Sequence, residues 1–234
     1  MISVAIAYLP EEEKKLEGCL ASVKNFADEV VVIQIGKDVP PTPYVETIRN
    51  KMIEKCKGDW VLVLDPDERI PESLALKLKE IAKEGIYEAV NMPRKNIFFG
   101  RWIRHTNWWP DRHVRFFKKE KVFWNDKIHL YPEIMGRELD LQAKEKYAIE
   151  HYGYDTVSEF LERQNRYSSV EAKNRLDSGE KYSLWNLIWW PTREFLARYI
   201  KHLGFLDGFD GFMLTYLMMV YKTSVLVKMW EGRK

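Results

Sequence analysis

The sequence has few cysteines, almost no net charge and no apolar run long enough for a confident membrane span. Its two cysteines among 234 residues, Cys19 and Cys56, form no CxxC pair, which argues against a disulfide framework or a cysteine zinc site and suits a reducing cytoplasm. The formal net charge of +2 gives no whole-chain argument for nucleic-acid binding. The longest apolar stretch, residues 211–227, is interrupted by Lys222 and falls short of the about 20 residues that span a bilayer.

Two motifs are also missing. The N-terminal apolar run has no basic residues before it and no small-residue cleavage site after it, so we predict a first β-strand and not a signal peptide. The chain contains no G-x-x-x-x-G-K-[S/T] sequence, which excludes a P-loop ATPase.

The first half of the chain alternates predicted strands and helices. We predict strands over 2–8, 29–35, 60–64 and 87–92, and helices over 11–26, 44–58 and from Pro71 to about Gly85. Such alternation with continuously apolar strands predicts an α/β fold with a mostly parallel sheet and helices on both faces. We expect residues 1–152 to form this domain, with an antiparallel annex from about residue 94.

Residues 153–234 are expected to form a helical C-terminal extension. The sequence TVSE at 156–159 is typical of a capping box, and it precedes an amphipathic pattern that extends to about Gly179. Two further helical stretches follow, with predicted breaks at Pro191 and Gly204.

Three carboxylates, Asp65, Asp67 and Glu68, come directly after the third predicted strand. Ligands of open α/β sheets bind beyond the carboxyl ends of strands. If the chain stays extended through Pro66, Asp65 and Asp67 point to the same side and could hold Mg²⁺ or Mn²⁺ together with substrate phosphates. The alternative is that Asp67 and Glu68 only favour the N-terminus of the next helix through its dipole.

The stretch VLVLDPDER (61–69) also resembles haloacid-dehalogenase-like phosphatases, with Asp65 as the nucleophile. That family usually has the motif on its first strand, and a Thr or Val where this sequence has Arg69. A Mg²⁺-dependent phosphatase is therefore the less favoured alternative.

Six motifs in order resemble the inverting glycosyltransferases of family 2, which have the GT-A fold, and most of all the bacterial and archaeal group that includes lipopolysaccharide core glycosyltransferases. They are CLASVKNFADEVVVI (19–33), IRNKMIEKCKGDWVLVLDPDERI (48–70), WWPDRHVRFFKK (108–119), KIHLYPE (127–133), IEHYGYDTVSEFLERQNRYSSVEA (149–172) and GFLDGFDGF (204–212). Together they cover nearly the whole chain.

The resemblance implies a nucleotide-diphospho-sugar donor and a Mg²⁺ or Mn²⁺ ion that bridges its diphosphate. Asp65 and Asp67 would bind this cation, and Asp65 would also border the donor. His151 would complete the metal or diphosphate site, unless it is a packed structural histidine. The expected donor contacts are Ala7, Tyr8 and Gln34 around the base and ribose, and Arg49 and Asn50 near the nucleotide.

An inverting transfer also needs a general base that takes the acceptor's proton. The candidates are His129, Glu133 and Asp111. The family subgroup commonly reads His-Glu where this chain has His129 and Leu130, and it usually carries Asp where this chain has Gln34. A catalytically silent homologue that binds nucleotide-sugars is therefore the main alternative to an active enzyme.

Residues 94–127 are rich in cations and tryptophans. They suit a glycan or phosphorylated acceptor, a solvated strand face or, least of all, nucleic acid. The stripe Phe195, Leu196, Tyr199, Ile200 and Leu203, preceded by three tryptophans, is typical of a helix at a membrane surface, although packing on the domain or a dimer contact would look similar. We expect a cytoplasmic protein, with peripheral association on the inner face of the cell membrane as the alternative, where a lipid-linked acceptor would be met.

Overall fold

The computed structural model describes residues 1–39, 46–124 and 131–232. The chain divides into two compact units. The first comprises residues 1–95 and 110–153, and the second comprises residues 96–109 and the chain from 154 onward. The division differs from a simple split at residue 152 because the short segment 96–109 belongs with the C-terminal helices.

The first unit is built around a mixed β-sheet. Its strands are β1 (Ile2–Tyr8), β2 (Glu29–Gln34), β3 (Trp60–Leu64), β4 (Glu68–Arg69), β5 (Ala89–Phe98), β7 (Asp111–Lys118), β10 (Glu138–Asp140) and β11 (Ile149–Tyr154), in the order β2-β1-β3-β7-β5-β11-β4 with β10 beside β5. β1 is parallel to β2 and β3, whereas β7 is antiparallel to β3 and β5. β5 therefore runs in the same direction as β3, with one reversed strand between them.

Helices cover both faces of the parallel part, as predicted. They are α1 (Glu13–Val23), α2 (Glu46–Lys55) and α3 (Glu72–Glu84). Successive residues of β1 face opposite sides of the sheet, so Val4 and Ile6 join the core with α1 and α3, whereas Ala5 and Ala7 join the core with α2. Burial on both sides explains why these strands are continuously apolar.

Small details of the first unit also agree with the sequence. Cys19 and Cys56 are both buried and free. α3 ends at Gly85, which has a left-handed φ of 67° and donates its N–H to the Ile81 carbonyl. The annex includes a separate two-stranded sheet of β8 (Val122–Phe123) and β9 (Glu133–Ile134), which are antiparallel.

The second unit contains the short strand β6 (Arg101–Trp102) and three helices, α4 (Val157–Asp177), α5 (Leu184–Leu196) and α6 (Gly208–Glu231). Its core includes Phe160 from α4 and Leu214 and Met218 from α6. The predicted break at Pro191 is wrong, because α5 continues through it. An interior proline removes its own N–H bond and its ring crowds the carbonyl four residues back, yet its φ is already helical, and α5 continues through it.

The motif GFLDGFDGF has a structural role in the second unit. Asp207 accepts hydrogen bonds from the backbone N–H of His105 at 2.8 Å and is 2.9 Å from its ring Nδ1. Asp210 accepts one from Arg101 Nη1 at 2.8 Å. These two carboxylates hold the segment 96–109 to the start of α6.

One segment in the described part of the chain, Gly204–Glu231, is long and apolar enough to cross a membrane by length and composition alone. A core helix passes the same test, so the finding is weak. Eight residues of α6 are buried, including Leu214, Met218 and Leu226, which pack against the rest of the second unit.

The predicted capping box at the start of α4 is half present. The Thr156 side chain accepts a hydrogen bond from the Glu159 N–H at 3.2 Å, but the Glu159 carboxylate accepts from the N–H of Asp155 and not of Thr156, at 2.9 Å. The Glu159 side chain thus reaches one residue further back than the motif requires.

We predict that Thr156→Ala lowers the free energy of unfolding by about 1 kcal/mol, because it removes the side-chain acceptor at the helix N-terminus. Urea denaturation followed by circular dichroism measures this change. Thr156→Ser is the matched control and should stay within a few tenths of a kcal/mol of the wild type. Equal losses in both variants would contradict a capping role.

Candidate active site

The carboxyl ends of β1, β2 and β3 lie side by side. Tyr8 pairs with Gln34 across β1 and β2, and the Tyr8 hydroxyl donates to Gln34 Oε1 at 3.3 Å. Ile6 pairs with Leu64 across β1 and β3. Asp65 follows Leu64 directly, so the structure brings the predicted residues Ala7, Tyr8, Gln34 and Asp65 to one edge of the sheet.

The three carboxylates after β3 lie on a tight turn and not on an extended chain. The Glu68 N–H donates to the Asp65 carbonyl at 2.9 Å, and the Asp65 N–H donates to Glu68 Oε2 at 3.0 Å. The expectation that Asp65 and Asp67 point to the same side through an extended Pro66 is therefore wrong. The turn gives the two side chains different partners.

Asp65 and Glu68 belong to a carboxylate–arginine network whose other members are Asp111, Arg94 and Arg115. Glu68 is fully buried, and its Oε1 accepts from Arg94 Nη1 at 3.1 Å and from Arg115 Nη2 at 3.0 Å. Arg115 Nη2 also donates to Asp65 Oδ2 at 2.5 Å. Arg94 donates to Asp111 Oδ2 through Nε at 2.9 Å and Nη2 at 2.6 Å.

Charge pairing sets the protonation of this network. Burial alone would raise the pKa of Asp65, but the guanidinium groups of Arg115 and Arg49 outweigh it and hold that pKa well below its usual range. Burial would lower the pKa of Arg115, and the carboxylates of Asp65 and Glu68 raise it instead. Asp65 is therefore an ionised carboxylate that is already neutralised by arginine.

Asp111, one of the candidate bases, is shared between Arg94 and His113. His113 Nε2 lies 3.0 Å from Asp111 Oδ1. Burial lowers the pKa of His113, and the hydrogen bond to Asp111 opposes the shift without cancelling it. A carboxylate bonded twice by a guanidinium is a weak proton acceptor, so this geometry disfavours Asp111 as the base.

The turn has two arms, one with Asp65 and its arginines and the other with Asp67 and His151. Both are largely buried, and His151 Nε2 is 3.5 Å from Asp67 Oδ2. β4 pairs antiparallel with β11, which places His151 opposite Glu68. The Tyr152 N–H donates to the Asp67 carbonyl at 2.8 Å and fixes the turn against β11.

The donor set can be tested against the implied cation. Within residues 1–39, 46–124 and 131–232, no group of three or more His, Cys, Asp and Glu side chains is arranged to hold a metal ion. The site instead offers two adjacent donors, the Asp67 carboxylate and the His151 imidazole. This number fits a Mg²⁺ or Mn²⁺ ion that takes its other ligands from water and substrate phosphates.

The predicted Arg-Asn pair has two different environments. Arg49 Nη2 is 4.0 Å from Asp65 Oδ1, at the edge of the carboxylate–arginine network. Asn50 instead exchanges two hydrogen bonds with the backbone of Trp124, at 2.7 and 3.2 Å. The Asn50 amide thus holds α2 to the end of the β8 segment, which favours a structural role over a nucleotide contact.

Of the two remaining candidate bases, Glu133 lies in the part of the chain that the structure describes and His129 does not. His129 lies outside the described residues, as does Leu130. Glu133 is exposed on β9.

The basic segment is mostly paired in the described part of the chain. Besides the network arginines, Lys95 pairs with Glu145 at 2.7 Å and Lys118 with Glu88 at 3.1 Å, and Arg112 donates to the Leu141 carbonyl at 3.0 Å. This pairing favours the structural interpretation of these cations over an acceptor or nucleic-acid surface.

Comparison with known proteins now adds to this geometry. The model of glycosyl transferase family 2 matches residues 46–136, which include the turn and all five members of the carboxylate–arginine network. An uncharacterized glycosyltransferase of Rickettsia felis is 25% identical over 94% of this chain and 87% of its own. The lipopolysaccharide core biosynthesis glycosyltransferase LpsC of Rhizobium meliloti is 22% identical over 94% of this chain and 88% of its own.

The chain is a glycosyltransferase, and its residues 46–136 match the family 2 model. The predicted GT-A-like α/β fold with a C-terminal helical part is confirmed, with a curled mixed sheet. Among solved structures, Staphylococcus aureus TarS 1–349 in complex with UDP is similar at 12% identity and a TM-score of 0.43, over 99% of this chain and 91% of that one. This structural similarity is too low to support a further conclusion.

The sequence does not predict the carboxylate–arginine network of the glycosyltransferase, because Arg94 and Arg115 lie in a segment that is rich in cations throughout. One available signal was the alternation Asp111, His113, Arg115 along a predicted strand. Period-two spacing places these three polar side chains on one face of β7. A polar face on a strand that ends in Phe116 and Phe117 indicates a buried ionic site.

We predict that Arg115→Met in the glycosyltransferase lowers the free energy of unfolding at pH 7 by about 3–5 kcal/mol, because it leaves two carboxylates without their shared partner. In the wild type, Asp65 has a folded pKa below its ordinary 3.8, so its contribution is complete above that pH and is lost as pH falls through the folded value. When the pH is lowered from about 5 to about 2, the free energy of unfolding should therefore fall less for the variant than for the wild type.

Urea denaturation across this pH range measures both effects. Lys77→Met is the matched control, because Lys77 pairs with Glu80 at 2.9 Å on the exposed surface of α3. That variant should lose less than about 1 kcal/mol. A pH dependence of Arg115→Met equal to that of the wild type would contradict the proposed pairing of Asp65.

Proposed function

We propose that this glycosyltransferase moves one sugar, with inversion, from a nucleotide-diphospho-sugar to a cell-envelope glycan or lipid-linked acceptor, assisted by Mg²⁺ or Mn²⁺. The observation that carries the proposal is the turn after β3. It presents one carboxylate to arginines and another to a histidine, at the sheet edge where ligands of α/β folds bind.

The two arms of the turn have separate tasks in this proposal. Asp67 and His151 would supply the protein ligands of the cation, which when bound offsets the negative charge of the departing diphosphate. Asp65 is held by Arg115, and Arg49 lies 4.0 Å from it. Arg49 would then contact the diphosphate beside the cation, and Asp65 would hold both guanidinium groups in place.

The base and ribose of the donor would lie over the ends of β1 and β2. Tyr8 offers an aromatic face, and its hydroxyl is bonded to Gln34 at 3.3 Å. Gln34 offers an amide in place of a carboxylate. An amide both donates and accepts hydrogen bonds, so it suits a base edge that presents both kinds of group.

The general base would be His129 or Glu133, which follow β8 in the KIHLYPE motif. Asp111 is set aside because Arg94 bonds its carboxylate twice, at 2.9 and 2.6 Å. Either remaining residue would take the acceptor hydroxyl proton as the acceptor oxygen attacks the anomeric carbon.

The acceptor is proposed from the relatives and from the surface of the second unit. One relative is named as a lipopolysaccharide core biosynthesis enzyme, which supports an envelope glycan. The many exposed apolar side chains after residue 184 support an acceptor that is met at a membrane surface.

The first test is calorimetric titration of UDP-, GDP- and dTDP-sugars into the full chain, with and without Mn²⁺. We expect one donor to bind, and binding to weaken by about tenfold or more in Asp67→Asn with the metal present, because one protein ligand of the cation is lost. Asp177→Asn, an exposed carboxylate at the end of α4, is the control and should bind like the wild type.

The outcomes distinguish an active glycosyltransferase from a silent homologue that only binds nucleotide-sugars. Binding without turnover would indicate a nucleotide-sugar-binding homologue. Absence of binding for every donor would overturn the proposed donor site. The anomeric configuration of the product, read by NMR from its coupling constant, tests inversion directly.

A separate prediction concerns the general base. The kcat–pH profile should have an acid limb, because the general base cannot accept a proton once it is itself protonated. His129→Gln or Glu133→Gln should then abolish that limb. Asp111→Asn should reduce activity without moving the limb, and a limb that disappears in this variant would restore Asp111 as the base.

A further inference from the structure

The outer face of α5 is an unusually apolar part of the second unit. Trp185 is 68% exposed and Ile188 67% exposed, and Leu184, Trp189 and Leu196 are exposed as well. At about 100° per residue these side chains fall on one side of the helix. They do not contribute to the core, so their apolar character needs another explanation.

The opposite face of α5 already supplies the packing of the second unit. Leu187 and Trp190 pack against the cluster of Ala172 and Val225. α5 is therefore held by one face, and its outer face is additional apolar surface.

The apolar stripe expected from the sequence divides between these two faces. Phe195 and Tyr199 pack inward, where their rings lie 6.1 and 5.9 Å from that of Phe212. Leu196, Ile200 and Leu203 point outward and extend the exposed face beyond α5.

Further apolar side chains are exposed in the turn that precedes α6, where the Phe205 ring lies 6.2 Å from that of Tyr199. Phe205 and Leu206 are exposed there, and Phe209 at the start of α6 is 74% exposed. We use the name docking face for the exposed apolar side chains of α5 and of residues 200–209. Its aromatic and aliphatic members come from consecutive stretches of chain, as in a surface that enters a lipid interface.

Basic residues accompany this face. Residues 184–209, which include the docking face, have three cations, Arg193, Arg198 and Lys201, against two carboxylates, Glu194 and Asp207, and Lys181 lies just before them. Asp207 is bound to the backbone N–H of His105 at 2.8 Å. Arg198 donates to Glu194 at 2.5 Å, so this pair is internally neutral. Lys181, Arg193 and Lys201 are exposed and give the region a positive charge.

We infer that the docking face binds the surface of an anionic lipid bilayer. Trp185 and Trp189 would enter the interfacial region, while Arg193 and Lys201 would contact lipid phosphate. This inference rests on the proposal that the enzyme meets its acceptor at a membrane surface, and it does not depend on the proposed donor site.

A second copy of the chain is the competing occupant, and charge disfavours it. A twofold interface would bring the same surface of both copies together, so Arg193 and Lys201 would face cations of their own kind. An anionic bilayer complements these charges and also accepts the tryptophans.

The test is co-sedimentation of the full chain with vesicles of phosphatidylcholine, with and without phosphatidylglycerol. We expect binding to the anionic vesicles, weakening with added salt and little binding to neutral ones. Trp185→Ala combined with Ile188→Ala should reduce the partition coefficient by about tenfold or more, since two large side chains no longer enter the interface. Leu76→Ala, which truncates an exposed leucine of α3, is the control and should bind normally.

Charge is tested separately with Arg193→Glu combined with Lys201→Glu. Each cation near an anionic surface contributes about a fivefold change in binding, so loss of the pair should weaken binding by about 25-fold, and the added carboxylates should weaken it further. Lys14→Glu combined with Lys24→Glu makes the same net change on the exposed side of α1 and should have a smaller effect.

Two results would overturn the inference. One is equal vesicle binding by the wild type and by both docking-face variants. The other is a dimer in light scattering without lipid that the Trp185→Ala, Ile188→Ala variant dissociates. Donor titration in the same variants without lipid should match the wild type, so failure at the membrane is distinguishable from failure of the donor site.

Discussion

The first unit depends on the buried carboxylate of Glu68. Its Oε1 receives one guanidinium from β5, Arg94, and another from β7, Arg115. A buried charge is costly unless it is paired and fully hydrogen-bonded, so the turn after β3 and these two strands must keep one relative position. The pairing accounts for the polar side chains in the middle of an otherwise apolar sheet.

The two arms of the turn are a consequence of this constraint. Once Glu68 is fixed, the tight turn directs Asp65 toward Arg115 and Asp67 toward His151. Two carboxylates of the same motif thereby acquire different electrostatic surroundings. Asp65 is neutralised by protein cations, whereas Asp67 lies beside a second donor of the kind that metal ions use. The division of tasks in the proposed transfer follows from this asymmetry.

In the second unit, α5 has apolar residues on two faces. Leu187 and Trp190 on one face join a core, whereas Trp185 and Ile188 on the other face stay exposed. A large exposed apolar patch marks a surface that binds a protein or a membrane. Here protein covers one side alone, and the basic residues at the border of the other side match the charge of a lipid surface.

The sequence by itself determined the elements and the location of the site. Apolar spacing predicted β1, β3 and α3 nearly to the residue, and the position of Asp65 and Asp67 after a buried strand predicts a ligand site at that edge of the sheet. These features are local, because they depend on neighbouring residues and on the period of the chain. The motifs also indicated the glycosyltransferase class, since their order along the chain is itself sequence information.

Only the tertiary structure decided which partner each charged group has. Arg94 and Arg115 are 26 and 47 positions from Glu68, and no local pattern specifies that they meet it. The turn at Pro66, the structural use of Asn50 and the pairing of Asp111 with Arg94 depend in the same way on strand order and register. Propensity and periodicity determine which face of a helix or strand is apolar. Which unlike charges pair when they are buried depends on the whole tertiary structure.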